Sequence, residues 1–274
     1  PTTRWWRPAR TSPEVAAEFY PLHGLVCGFE KSGTTLINEI LRRHPRLDSG
    51  FEGGFLLADS PREFRHFQPY FAFFRKTWDL TREDVLYICD TEDWGECYRR
   101  ARERSPVIID KQSLIFDKTP IYMQHLSAVL DKVPGIPCIV NVRDPRALFM
   151  SWANWSGYRD NPEAWLQANF DDNVQRFLSY AQGYKGAIEA HEGRLLLTRF
   201  EELCAKPEPG FATLFRFFGL DFRPEYLAFT SRHFVYGNQV STEYLYPYRG
   251  VLSEALCQRI LDATADFSQW HFHG

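Results

Sequence analysis

Hydrophobic and polar positions along the 274 residues follow two periods. Short apolar runs bounded by Gly, Pro or charge read as buried strands; apolar residues three and four apart read as amphipathic helices. Residues 22–28 form a first strand, and a helix over about 34–43 follows, with Leu36, Ile37, Ile40 and Leu41 on one face. His44-Pro45 stops it, because proline disfavours helical backbone at the residue before it. Arg46–Gly54 reads as a short strand that breaks into a glycine-rich bend at Glu52. Residues 55–105, aromatic and charged with mixed helical patterns, are expected to be helices and loops that form a cover or lid over the sheet. Val107–Lys111 and Leu114–Asp117 are strand-like, Lys118-Thr119-Pro120 closes the second, and 121–132 is an amphipathic helix. Residues 137–142 are the clearest buried strand. Asp144 and Pro145 then supply the N-cap and first position of a helix over about 145–155. A long helix over 162–191, interrupted near Gly183, a strand at 194–198 and helices at about 209–218 and 253–267 complete the body. An irregular aromatic loop fills 230–250, and the Arg-, Trp- and Pro-rich residues 1–21 read as an arm over the domain. Alternating strands and helices imply one α/β domain over 1–274, a P-loop-like three-layer fold with a mostly parallel central sheet flanked by helices.

Charge narrows the partners. With 32 Lys and Arg against 35 Asp and Glu, the net charge of −3 argues against nucleic acid or another long polyanion and leaves room for a local basic pocket. Aromatics at 16% exceed what a core of this size asks for and leave rings for an apolar binding wall. The six cysteines are scattered, with no CxxC and no zinc-like spacing, so they read as reduced structural thiols and no metal is expected. That points to the cytoplasm; because the chain starts at Pro1, a removed targeting segment is left open. No apolar run of about 18 residues suggests a membrane span. Asn154-Trp155-Ser156 matches a glycosylation sequon, a chance match in that compartment.

The chemistry starts at Leu25–Leu36. A strand ends in Gly28-Phe29-Glu30-Lys31-Ser32-Gly33-Thr34-Thr35, and a helix begins there. Backbone N–H groups at a helix start lack intrahelical partners and favour an anion. Gly28 and Gly33 keep the G-x-x-x-x-G spacing of a phosphate loop, but Thr34-Thr35 stand where a nucleotide triphosphatase needs Lys-Ser/Thr, and the lysine has moved inside the loop to Lys31. Two further strand ends carry Lys118 and Arg143. In a parallel sheet all three ends share one edge, where ligands bind, and three cations there describe a site for a polyanionic nucleotide.

With these residues in hand, the chain resembles the PAPS-dependent sulfotransferases, in particular the branch of tyrosylprotein and bacterial enzymes. Lys31-Ser32-Gly33-Thr34-Thr35 is similar to their 5′-phosphosulfate loop, and Arg143-Asp144-Pro145 with Ser151, eight residues after the arginine, to their 3′-phosphate motif. The Glu52 stretch, Asp117-Lys118-Thr119-Pro120 and Arg199-Phe200-Glu201-Glu202-Leu203 resemble further segments of that branch. The resemblance implies sulfuryl transfer from PAPS to an acceptor hydroxyl or amine, with 3′,5′-ADP (PAP) as product. It implies Glu52 as base, Lys31 at the bridging oxygen and Lys118 at the sulfuryl group. Ser32, Gly33, Thr34 and Thr35 would hold the 5′-phosphate, and Arg143 and Ser151 the 3′-phosphate. Two departures stand out: Phe200 replaces a common Tyr, which removes one polar contact to the nucleotide, and no clear R-K-G is present, Tyr248-Arg249-Gly250 being the nearest candidate to reach the 3′-phosphate.

Plainer readings stand beside these. Lys31 and Lys118 could be solvated strand-end charges, Glu52 an ordinary loop acid, Ser151 a helix serine bonded to a carbonyl, and Arg143 the salt-bridge partner of Asp144. His66 and His125 are competing bases. The aromatic cluster of 64–78 reads as core rather than acceptor cage. The acceptor is a small-molecule, carbohydrate or carrier-bound group. The competing functions are an ATP- or GTP-dependent P-loop kinase and a non-catalytic 3′,5′-ADP-binding module.

Overall fold

The computed structural model describes residues 18–229, 240–243 and 245–271. Most of the expected arm at 1–21, and residues 230–239 and 244 of the expected aromatic loop, lie outside these. Five strands, β1 (Leu22–Gly28), β2 (Leu47–Asp48), β3 (Leu114–Lys118), β4 (Cys138–Val142) and β5 (Leu195–Arg199), form one sheet in the order β2-β3-β1-β4-β5. All four pairings are parallel. β1 is central, and the chain leaves it first toward β2 and β3, then toward β4 and β5. The carboxyl ends beside β1 therefore form the crevice where open α/β sheets bind ligands.

Alternation along the strands explains the layers. Leu25, Cys27, Ile115, Cys138, Val140 and Val142 face one core, and Val26, Phe116 and Ile139 face the other. A strand buried on both faces is apolar throughout. The second core is closed by α1 (Thr34–Leu41), through Leu36, Ile37, Ile40 and Leu41, the face expected from the sequence. The 55–105 cover consists of α2 (Pro61–Phe64), α3 (Tyr70–Thr77), α4 (Arg82–Ile88) and α5 (Trp94–Arg104), together with a 3-10 turn at Phe55–Leu57. Phe64, Phe74 and Trp78 are buried around Phe55 and Phe71 is buried beside them in sequence, so most of that aromatic cluster is core.

Three expected elements differ. Val107–Lys111 is not a strand: Lys111 Nζ donates to the Ser105 carbonyl at 2.6 Å, Ser105 Oγ donates to the Trp78 carbonyl, and Ile109 is 77% exposed. Local bonds, rather than a neighbouring strand, meet that backbone: the Val107 N–H donates to Ser105 Oγ, the Ile108 N–H donates to the Ser105 carbonyl, and the Asp110 carbonyl accepts from the Ser113 N–H. The stretch 121–132 splits into a 3-10 turn, Pro120–His125, and α6 (Leu126–Asp131). α7 (Pro145–Trp155) stands as expected, capped by Asp144. The 162–191 helix is broken at Asn169, not at Gly183, into α8 (Pro162–Ala168) and α9 (Phe170–Ile188). Asn169 donates from its amide to the Trp165 carbonyl and Asn173 to that of Asn169, the side-chain competition that ends helices. Gly183 has a different use: a β-carbon there would lie 2.2 Å from the Met123 carbonyl oxygen, so its absence lets α9 rest on the 3-10 turn. α10 (Phe200–Ala205), α11 (Pro207–Phe217) and α12 (Glu254–His271) complete the described chain. Among the described residues no helix is long and apolar enough to cross a membrane. All six cysteines are free thiols, five of them buried.

Candidate active site

The loop between β1 and α1 owes its shape to two left-handed residues, Lys31 at φ 71° and Gly33 at φ 96°. Such turns aim successive N–H groups toward one point, as in anion-binding backbone nests. Gly33 is needed twice, for its positive φ and because a β-carbon there would meet the Phe200 ring at 2.3 Å. The carbonyls of the loop are held from behind. Trp152 Nε1 donates to Glu30 O at 3.0 Å, Arg143 to Lys31 O at 2.9 Å and Asn141 Nδ2 to Ser32 O at 2.6 Å. With its carbonyls fixed by β4 and α7, the loop is left to present N–H groups. The first N–H groups of α1, at Thr34 and Thr35, have no intrahelical acceptor. Ser32 Oγ is fully buried and has no partner among the described residues. A buried hydroxyl without a partner is costly.

Arg143, at the end of β4, is 5% exposed. Its guanidinium lies 4.5 Å over the Phe200 ring and 3.4 Å from Ser151 Oγ. The alternative partner Asp144 is taken by Arg146, at 3.0 Å from Nε and 2.6 Å from the terminal nitrogen. The Asp144 N–H donates to Glu201 Oε1 at 2.9 Å, which ties the start of α7 to α10. Burial raises the Glu201 carboxyl above the ordinary range. Phe200, which stands where a Tyr is common, forms a buried floor under Arg143 and against Gly33. Arg249 is exposed and stacks on Tyr246 at 3.9 Å. Its neighbour Tyr248 donates to Asp144 Oδ2 at 3.3 Å, so this segment rests on the start of α7.

Lys118 is the last residue of β3 and is fully buried. Its ammonium donates to Glu52 Oε1 at 2.8 Å and lies 3.3 Å above the Phe51 ring. Burial lowers the Lys118 pKa, and Glu52 pulls it back. The Glu52 side chain is 26% exposed, so one side of the pair opens to solvent. Lys31 is exposed, and its ammonium lies 4.9 Å from the Trp155 ring. Surrounding protein lowers the Lys31 pKa, with Glu52 and Glu30 acting the other way. Tyr70 packs against Gly54, and its hydroxyl is pushed up to about 12 by burial and then by Glu30 and Glu52. His66 and His125 are exposed. Lys31, Glu52 and Lys118 thus share one electrostatic neighbourhood at the carboxyl edge, and the Arg143–Ser151 pair lies behind the loop. Among the described residues no three His, Cys, Asp or Glu are grouped to hold a metal ion.

Several contributors were not singled out in the sequence. Asn141 is the polar residue in the buried strand Cys138–Val142, a visible signal. Arg176 from α9 pairs with Glu30 and stacks 4.5 Å over Trp152, a long-range contact that residue order hides. Asp117, fully buried, accepts hydrogen bonds from Tyr98, Tyr122 and Thr119.

A model of the sulfotransferase family matches residues 25–224. No curated protein matches the chain. Among solved structures, the sulfotransferase domain from the Synechococcus PCC 7002 olefin synthase superposes with a TM-score of 0.67 at 16% identity, covering 99% of this chain and 100% of that one. The sulfotransferase domain from the curacin biosynthetic pathway gives 0.60 at 17%, covering 89% and 98%. A mouse sulfotransferase complexed with PAP gives 0.52 at 12%, covering 94% and 90%. At these identities the likeness is one of fold.

Proposed function

The chain belongs to the sulfotransferase family, and on that premise we propose that it transfers the sulfuryl group of PAPS to the hydroxyl of a small-molecule, carbohydrate or carrier-bound acceptor. The family implies PAPS as co-substrate and PAP as product. The observation that carries the reading is the convergence of the Lys31 loop, the Lys118–Glu52 pair and the Arg143–Ser151 pair on one sheet edge. The residues fit the donor: the unpartnered buried Ser32 Oγ and the N–H groups of Gly33, Thr34 and Thr35 suit the 5′-phosphate. Arg143, stacked on Phe200 beside Ser151, suits a 3′-phosphate, a charge-assisted contact that separates PAPS from ATP. Arg249 is a reserve contact to that phosphate.

In the reaction the acceptor oxygen bonds to sulfur as the bond from sulfur to the bridging oxygen of the 5′-phosphate breaks. Glu52 receives the acceptor proton. Its Oε1 is anchored by Lys118, which leaves Oε2 to face the acceptor. Lys31 neutralises the charge that grows on the departing phosphate, and Lys118 does so for the sulfuryl oxygens. Phe51, Tyr70 and Trp155 stand around these groups, and Trp155 is 66% exposed. Those rings favour a neutral acceptor with an apolar or aromatic body.

The test has two parts. In a thermal-shift comparison, 3′,5′-ADP without Mg²⁺ is expected to stabilise the protein, and ATP with Mg²⁺ is not; the reverse would favour a kinase. PAPS is then screened with tyrosine peptides, sugars, lipids and carrier-bound hydroxyacyl chains. Lys31→Ala and Glu52→Ala are expected to abolish turnover in folded protein, and wild-type activity in either would remove that residue from the mechanism. Binding of 3′,5′-ADP with no product from any acceptor would favour a non-catalytic binding module.

A further inference from the structure

Asp117 precedes Lys118 on β3 and is fully buried. Its Oδ2 accepts from Tyr98 and Tyr122, both at 2.7 Å, and its Oδ1 from Thr119 at 2.8 Å. Two of these hydroxyls are themselves acceptors. Thr119 Oγ1 takes the Gly54 N–H at 3.2 Å, and Tyr122 OH takes the Leu56 N–H at 3.1 Å. A hydroxyl has one hydrogen. Once that hydrogen is committed to Asp117, the lone pairs of Thr119 and Tyr122 must face the N–H groups. The carboxylate therefore sets the direction of both relays.

The relays end on the loop that carries Glu52. That loop is strained, with Phe51 at φ 144°, a backbone conformation that persists only when neighbours over-determine it. From α3 and the residue after it, Trp78 Nε1 donates to Phe51 O at 3.2 Å, and Thr77 Oγ1 lies 3.2 Å from Glu52 O, its one hydrogen shared with the Phe73 carbonyl at 3.0 Å. The loop's amides are held from the Asp117 network, and its carboxylate from Lys118. Lys118 thus holds the side chain of Glu52, while Thr119 and Tyr122, both bonded to Asp117, hold two amides that follow it. A carboxylate buried with three donors is a costly way to fill a core position that an apolar side chain could fill. We propose that Asp117 is a positioning residue: through Thr119 and Tyr122 it holds the Gly54 and Leu56 amides and so aims the Glu52 carboxylate at the acceptor. This rests on Glu52 being the base.

Thr119→Val and Tyr122→Phe each delete one relay hydroxyl with little change of shape, and Thr119→Ser restores one. Hydrogen exchange of the 49–57 segment needs no acceptor and is expected to quicken at least tenfold in Thr119→Val and Tyr122→Phe, at unchanged affinity for 3′,5′-ADP by calorimetry. With the acceptor found in the screen, kcat is expected to fall about 10- to 100-fold, the scale of an ångström-sized misplacement, with KM for PAPS unchanged. Thr119→Ser should recover most of both. Wild-type exchange in both deletion variants overturns the proposal, and so does a loss of 3′,5′-ADP affinity equal to the loss of kcat, which would mark a general structural role. The two readings separate through Glu52→Gln. Full turnover in that variant overturns the base and the positioning role together; a dead Glu52→Gln beside fully active Thr119→Val and Tyr122→Phe overturns the positioning role alone.

Discussion

Arg143 is held as a flat plate. Phe200 lies beneath it, the Lys31 carbonyl takes one N–H, and Ser151 Oγ stands 3.4 Å away. A lysine at this position would keep the charge and lose the plate, and Arg and Lys are not interchangeable at stacked sites. Arg143→Lys is expected to weaken 3′,5′-ADP about 10- to 100-fold, since hydrogen bonds to charged groups contribute about 1.5–3 kcal/mol. Affinity for 5′-AMP, which lacks the 3′-phosphate, should be little changed. Calorimetry with both nucleotides checks this, and an equal loss for the two would move Arg143 from the phosphate to the loop. Ser151 was legible from its spacing to Arg143. The position of Phe200 was not, because a ring that lies beneath Arg143 and against Gly33 is a contact among the end of β4, the start of α10 and the loop, and no local pattern encodes it.

The Lys31 loop is shaped by its neighbours as much as by its own glycines. Trp152 and Arg143 grip its carbonyls from α7 and the end of β4, and Arg176 of α9 pairs with the Glu30 carboxylate. Glu30 is an acid within the loop proposed to hold the 5′-phosphate, and Arg176 pairs with it. Arg176→Gln would leave that charge beside Lys31. Both partners of the pair are about one-third exposed, 28% and 34%, so its effect is that of a screened pair, about 1 kcal/mol or less. KM for PAPS should rise about two- to fivefold in Arg176→Gln and return toward the wild-type value in the Glu30→Gln, Arg176→Gln double variant, which steady-state kinetics at low salt would read. At this scale the sequence was clearest where caps and breakers were explicit: Asp144-Pro145 opened α7 as expected. It was silent where side chains competed for backbone, at Ser105–Lys111 and at Asn169. The sharing of one edge by three strand ends was legible because parallel strands leave no choice. The order β2-β3-β1-β4-β5, which puts Lys118 and Arg143 on opposite sides of the loop, was not.

Across the whole molecule, two histidines bond between layers, His23 from the sheet and His191 beside Asp131 at 3.5 Å, which favours its charged form against burial and Arg194. His23 of β1 lies with Nε2 2.7 Å from the Phe218 carbonyl just after α11, which makes it a donor there. His191, after α9, meets Ser127 of α6 at 3.1 Å through Nε2 and Arg194 at 3.3 Å through Nδ1. Burial lowers both pKa values, and Arg194 lowers that of His191 further. The unfolded chain then takes up protons near pH 6.5, before the folded protein does. In that window the unfolded state binds more protons, so stability rises with pH and is lost as pH falls from about 6.5 through the folded values. Asp117 and Glu201 act in the opposite sense, because burial raises their pKa and the folded state takes up their protons first. A melting curve of the wild type alone therefore mixes the two. The comparison that isolates the histidines is wild type against His23→Gln and His191→Gln between pH 7 and 5.5. The wild type should lose more of its melting temperature over this range than either variant, at about 2–4 °C for each kcal/mol in a protein of this size class. Parallel slopes in all three proteins would show that neither ring has to stay neutral for these layers to hold.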